Sequence, residues 1–411
     1  MIFNLNKIEQ KALNITYIPV VLIIFDVSRA FADKVGLIET LLLLMYCIYF
    51  ILFVRGILTT NIWITIFLCY ALILAFFSSD IERTIINYTR VFISLFMFPI
   101  AYYQVKTLSD LRKLNLSIIW LIIIFVLNGI VTSTLGIGAN PYRGSFVMGI
   151  FIYSKLYSGS LALVLIPLWM TSIKRNFYKY VLLFFSFILF ILLLLSMRRT
   201  AILIPIFGYM IYFFYSHYKK QIVIGFVSII AFLVLSFPLY KDILYSQMAA
   251  RRNIFNRNYN IANEGRYLEG AIVLNERFGN EVHWGITLFG DEVFNEYGKY
   301  ANGYFGTRYL HVDFYKILYT LGTFGLFFYL MIFYNIWGKF QRYKVNISND
   351  PCYREMVGIF VTLFLLSFFI SIQGGMFDIT FRSILFIYFG ALLGVFEDSA
   401  SKKQRFITQD V

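Results

Sequence analysis

The chain has 411 residues, of which 60% are hydrophobic and only 14% charged, and its mean hydropathy is +0.73. A soluble chain carries roughly 25% charged and 45–50% apolar residues, so this one has too little polar surface to cover a water-soluble core. Its net charge of +14 comes without a basic stripe interleaved with aromatics on a soluble face, which argues against a nucleic-acid partner.

The apolar residues fall in runs of about 16–22, the length that crosses a hydrocarbon core of about 30 Å. Within each run they show no polar face. We place spans near 15–31, 37–54, 57–77, 88–105, 114–135, 156–173, 178–197, 200–216, 221–239, 313–336, 357–373 and 378–396. The pattern predicts an all-α polytopic membrane protein of about 12 transmembrane helices, with helices over 1–239, a long polar loop over 240–312, and further helices and a tail over 313–411. The first run follows Lys7 and Lys11 and approaches Ala30-Phe31-Ala32 through Asp26 and Arg29. Those two charges interrupt the approach to a cleavage site, so the run reads as an uncleaved span. Cys47 and Cys69 lie in apolar runs and Cys352 in a polar connection, which gives no disulfide framework and no metal spacing.

Charge sets the expected orientation. One set of connections, from Lys7 and Lys11 through Arg55, Lys106, Lys174 and Lys339 to Arg405, holds about 18 bases and about 7 acids. The alternate set holds about 18 bases and about 15 acids, many of them in the long loop. Short loops decide orientation, and those of the first set are about twice as rich in Lys and Arg, which puts both termini in the cytoplasm. Many of the 31 tyrosines sit at predicted span ends, among them Tyr102, Tyr103, Tyr153, Tyr157, Tyr178, Tyr212 and Tyr215. We read them first as headgroup-level anchors and second as platforms for sugar rings.

The polar segment from about Tyr240 to Tyr309 is long for a membrane connection, and such loops are functional or disordered. Ile261 to Phe278 has apolar residues at helical spacing (Ile261, Tyr267, Leu268, Ala271, Ile272), and Trp284, Ile286, Leu288 and Phe289 supply a surface for docking at the bilayer. The expectation is an ordered cap over the outer ends of the spans. The bland alternative is a tether.

Several charges sit against the expected sidedness. Arg198 and Arg199 end one apolar run just before the next begins at Thr200. Two readings stand: snorkelling side chains in a tight turn, or an outward-facing anion site that uses the planar fork of arginine. Arg143, Arg266 and Arg308 lie on the same predicted side and extend the basic group. Asp378 with Arg382, and Asp26 with Arg29, are spaced for intrahelical pairs. Glu39 lies within the second span. Of the three histidines, His217 neighbours Lys219 and Lys220, and His283 neighbours Trp284. His311 stands where the loop re-enters the membrane, two residues before Asp313, a placement that combines acid–base chemistry with nearby cations.

Taken together, these segments resemble the O-antigen polymerase and O-antigen ligase superfamily of bacterial envelope glycosyltransferases. The resemblance covers roughly 180–340 and the overall topology. It is carried by Ser196-Met197-Arg198-Arg199-Thr200, by Gly265-Arg266 with Trp284-Gly285 to Phe289-Gly290, and by His311 followed after ten residues by Gly322-x-x-Gly325. Ligases prefer Asn, Ser or Gln after the histidine. Here Val312 and Asp313 follow, a pattern closer to the polymerases.

The resemblance implies a GT-C-like fold in the bacterial inner membrane and glycosyl transfer at the outer face without a metal or other cofactor. A polyprenyl-diphosphate-linked oligosaccharide would be the donor, a lipid-linked repeat unit the acceptor, and a chain-length regulator a possible protein partner. Arg198, Arg199, Arg143 and Arg308 would hold diphosphate or substrate, and His311, Asp313 and Arg266 would serve catalysis, with Asp313 orienting His311 or acting as base. No Asp-x-Asp, Walker A or dinucleotide glycine motif is present. Transfer to lipid A–core by a ligase is the nearest alternative. A flippase is the next, although transporters favour repeated halves and midplane charges that are not evident here. A non-catalytic scaffold leaves the His311 spacing unexplained.

Overall fold

The computed structural model describes residues 14–28, 34–136, 155–173, 175–196, 199–255, 265–279, 283–291, 293–294, 310–344, 351–375 and 378–409. In chain order the helices are α1 (Ile18–Ser28), α2 (Val35–Phe53), α3 (Ile62–Ala75), α4 (Ile81–Gln104), α5 (Leu108–Leu135), α6 (Lys155–Val164), α7 (Ile166–Ser172) and α8 (Asn176–Leu195). They continue with α9 (Arg199–Tyr215), α10 (Lys219–Phe255), α11 (Gly265–Phe278), α12 (Trp284–Phe289), α13 (Asp313–Lys344), α14 (Pro351–Gln373) and α15 (Ile379–Gln409).

Among the described residues, 8 helices are long and apolar enough to cross a membrane: α2, α4, α5, α8, the first part of α10, α13, α14 and α15. Three shorter apolar helices, Ile15–Ser28, Ile62–Ala75 and Thr200–Tyr215, stand among them. The chain is a multi-pass, all-α membrane protein.

Two expected spans take a different form. The run at 156–173 is split into α6 and α7 at Leu165. The run at 221–239 does not stop where the sequence turns polar, because α10 continues to Phe255 as a helix of 37 residues. At 1.5 Å per residue it is about 55 Å long, well beyond a hydrocarbon core. The polar segment therefore opens as a helical extension rather than a loop.

Helix α15 is the centre of the bundle, and its apolar stretch is wholly buried. Its most extensive contact is with α4. There a β-carbon on Gly390 would overlap the Phe98 carbonyl oxygen, and one on Gly394 the Val105 carbonyl oxygen. Small residues at such a crossing let two membrane helices touch backbone to backbone. Around this pair, α9 packs on α14 and α6, and α13 packs on α3.

The contacts sort the helix termini onto two ends. At one end Thr84 and Asn87 of α4 donate to the Val293 and Phe294 carbonyls at 2.8 and 2.9 Å. There too Thr380 of α15 donates to Asp26 of α1 at 2.7 Å, and Ser160 of α6 to the Ala201 carbonyl of α9 at 2.7 Å. At the opposite end Lys106 pairs with Glu397 at 2.5 Å, and the Tyr343 hydroxyl bonds that carboxylate at 3.0 Å. Glu355 is buried at that end and receives the Tyr212 hydroxyl, the Ser216 hydroxyl and the His217 backbone N–H. Tyr102 and Tyr212 are thus buried in polar clusters, whereas Tyr103, Tyr178 and Tyr215 stay exposed as anchors would.

Candidate functional site

Helix α11 lies on the start of α13. Its buried face is not the apolar stripe expected from Leu268, Ala271 and Ile272, since Ala271 is exposed. It is Glu269, Gly270, Val273 and Arg277, spaced about one turn apart along one side. Val273 packs with Leu310, Leu318 and Tyr319, and Ile272 and Tyr315 close the cluster. Gly270 has no room for a side chain, because the Tyr315 hydroxyl occupies the place of a β-carbon. Two charged groups were hidden from an apolar-periodicity reading because each is buried against a specific polar partner.

The first is Glu269, which is fully buried. Its carboxylate accepts the backbone N–H of His311 at 2.9 Å and faces Nδ1 of the same residue at 2.8 Å. The His311 side chain is 45% exposed, so the ring is held along one edge and open along the other. Burial of this kind requires hydrogen bonds to the carboxylate, and His311 supplies two.

The second is Arg277. Its Nη2 donates to the Tyr319 carbonyl at 2.8 Å, and its guanidinium lies 4.1 Å from the centre of the Tyr319 ring. That carbonyl needs a donor because α13 is broken at Gly322, with φ 67° and ψ −169°. A break in the ladder strands the preceding carbonyls. Tyr70 of α3 donates to the Leu321 carbonyl at 2.8 Å, and Thr323 to the Thr287 carbonyl at 2.9 Å. Helix α12 fits into the break: a β-carbon on Gly322 would overlap Leu288, and one on Gly290 would overlap the Thr320 carbonyl. The expected docking of Trp284 to Phe289 is therefore onto α13, while Trp284 itself is 79% exposed. Beside Arg277, burial pushes the Glu276 carboxyl up; Asp291 adds to the shift and Arg277 opposes it.

Asp313, the first residue of α13, is fully buried and pairs with Arg382 of α15, itself 2% exposed. The Asp313 carboxylate also accepts the Gly375 N–H at 3.0 Å, and Arg382 reaches the Ser371 hydroxyl at 3.3 Å. A β-carbon on Gly374 would collide with the His311 carbonyl, so the α14–α15 turn presses directly on the His311 backbone. These contacts correct two expectations. Arg382 forms its ion pair with Asp313 across helices rather than with Asp378, whose carboxylate accepts the Phe381 N–H at 3.0 Å. The carboxylate placed on the His311 ring is that of Glu269, and Asp313 is tied to Arg382 and Gly375.

Of the other predicted residues, Arg266 lies in the first turn of α11, one turn before Glu269, and Arg199 begins α9. Arg143, Arg198 and Arg308 lie outside the described residues, as does Arg29, the expected partner of Asp26. Glu269, Arg277, Arg382 and Tyr70 enter the site without having been anticipated in these roles. Arg382 alone carried a signal, as a charge within an otherwise apolar run. The fold thus joins His311 to the helix bearing Arg266 at one end of the bundle. No protein-family model matches the chain, and no curated protein matches it.

Proposed function

We propose that the chain is a polymerase of O-antigen or a related surface polysaccharide, working at the outer face of a bacterial inner membrane through about 12 spans. One observation carries the reading: Glu269 bonds both the backbone and the ring of His311. Arg266 lies one turn away on the same helix. Two segments singled out separately in the sequence, 45 positions apart by their numbering, therefore meet. Arg199 begins α9, whose partner α6 touches α15 through Tyr157 and Phe381, and so belongs to the same end of the bundle.

In this reading the acceptor hydroxyl attacks the anomeric carbon of the donor glycan, and polyprenyl diphosphate leaves with the bonding electrons. Charge grows on the departing diphosphate, so fixed cations stabilise the transition state more than the ground state. Each charge-assisted hydrogen bond from arginine contributes roughly 1.5–3 kcal/mol. Arg198, Arg199, Arg143 and Arg308 are assigned to that leaving group with Arg266, and His311 to the acceptor hydroxyl.

The test is the surface polysaccharide made by a deletion strain. A polymerase deletion leaves lipid cores bearing a single repeat, whereas a ligase deletion leaves cores bare. Alanine at Arg198, Arg199, Arg266 or His311 is expected to reproduce the deletion pattern at normal protein levels. Unchanged polymer length and amount in all four variants would remove this assignment.

A further inference from the structure

We infer that Glu269 is the positioning residue of His311: it holds the imidazole as its Nδ1–H tautomer, so that Nε2 is the atom offered to the acceptor hydroxyl. The reaction assigned to the dyad rests on the polymerase reading, and the dyad itself on geometry alone. An ionised carboxylate accepts hydrogen bonds and donates none. Glu269 faces two groups of one residue, the His311 backbone N–H at 2.9 Å and Nδ1 at 2.8 Å, each through a different oxygen. The backbone group is a donor in every state. A carboxylate that also satisfies Nδ1 selects the tautomer with its proton there, which leaves the Nε2 lone pair free. Among the described residues nothing bonds Nε2, and the side chain is 45% exposed.

The two-point attachment also fixes where the ring sits. The backbone bond ties His311, two residues before α13, to α11, the Gly374 turn closes on the His311 carbonyl, and the Nδ1 bond then sets the side-chain rotation. In the transfer step the acceptor O–H proton passes to Nε2 as the new C–O bond forms. The bond from the anomeric carbon to the diphosphate oxygen breaks, and the diphosphate keeps its electron pair. Glu269 takes no proton in this step. It stabilises the imidazolium that results, as the orienting carboxylate does in other acid–base dyads.

The full-length protein in lipid nanodiscs, labelled with 15N-histidine, reports the tautomer directly. Only three histidines are present, and His311→Gln assigns the signal. The expected wild-type spectrum at neutral pH has a protonated Nδ1 and an unprotonated Nε2 at His311. Glu269→Gln presents an N–H on one arm and should abolish that preference, whereas Glu269→Asp, which keeps the carboxylate, should retain part of it. In glycan transfer with a polyprenyl-diphosphate-linked repeat unit, Glu269→Gln should lower kcat by up to about 10⁴-fold, the loss that follows when the orienting carboxylate of an acid–base dyad becomes an amide, with the KM for acceptor unchanged.

A wild-type Nε2–H tautomer, or one insensitive to Glu269→Gln, overturns the assignment whatever the transfer assay shows. A loss confined to KM overturns the orienting role. The expected tautomer in a wild-type protein that transfers no glycan supports the dyad and places the failure in the polymerase reading.

Discussion

Arg382 and Asp313 form an ion pair with almost no access to water, and Nε and Nη1 of that arginine have no hydrogen-bond partner. A charge within a membrane helix is stabilised only by pairing or hydration, so neither residue is tolerated without the other. Removing one member of a buried pair costs roughly 3–5 kcal/mol, while replacing both by apolar groups of similar volume is often neutral or better. Asp313→Ala or Arg382→Ala should therefore lower the thermal midpoint in detergent sharply. Asp313→Leu combined with Arg382→Met should recover most of the loss. If the double variant is no better than the worse single one, the pair does not carry the coupling assigned to it.

At the scale of elements, the break in α13 and the small helix lodged in it form one unit. Gly322 has φ 67° and ψ −169° with backbone packed against it, so Gly322→Ala meets both the cost of a conformation open essentially to glycine alone, about 1–3 kcal/mol, and a steric clash. Tyr70→Phe removes the donor to the Leu321 carbonyl and should cost roughly 1–3 kcal/mol. Both changes are expected to raise hydrogen exchange in Trp284–Phe289 and around Gly322, while α4 and α15 stay protected. The same unit should depend on pH through Glu276, whose carboxyl is pushed up by burial. A raised folded-state value means that the protonated group favours the folded form. Its contribution is complete below the ordinary carboxylate range and is lost as pH rises through the raised value. Protection factors in α11, taken relative to the intrinsic exchange rate at each pH, should accordingly be higher at mildly acidic pH than at neutral pH, and Glu276→Gln should flatten the difference. The glycines at 322 and 325 were legible in the sequence as a pair with meaningful spacing. That one of them interrupts a helix was not, because the signal resides in donors supplied by Tyr70 and Arg277 from distant segments.

For the molecule as a whole, the membrane spans were largely readable, since run length alone separates a crossing helix from a soluble one. Which span lies at the centre was not. The apolar part of α10 is more hydrophobic than that of α15 yet stays outside the core, while that of α15 is wholly buried. Lipid and protein interior are equally apolar, so hydropathy does not distinguish them; the glycines at 390 and 394 do. In the site, His311 was legible as a histidine at a span boundary, but Glu269 was not, because its partner lies 42 positions away in sequence. The orientation is open to direct measurement. Cys352 lies beyond α13, at the end opposite His311, and an impermeant thiol reagent should reach it only after the membrane is breached. Trp284→Cys should react in intact spheroplasts. The reverse pattern would invert the topology and rule out a reaction at the outer face.

The central position of α15 bears on how the protein is made. Every helix that α15 touches is synthesised before it. Until Gly390 and Gly394 emerge, the carbonyls of Phe98 and Val105 have no glycine seated against them. The earlier helices that pack on α15 cannot complete those contacts until it is made, and the pairing of Asp313 with Arg382 is postponed with them. Substitutions in α15 should thus act first on survival during insertion, through quality-control proteolysis of an unclosed assembly, before any effect on chemistry can be seen.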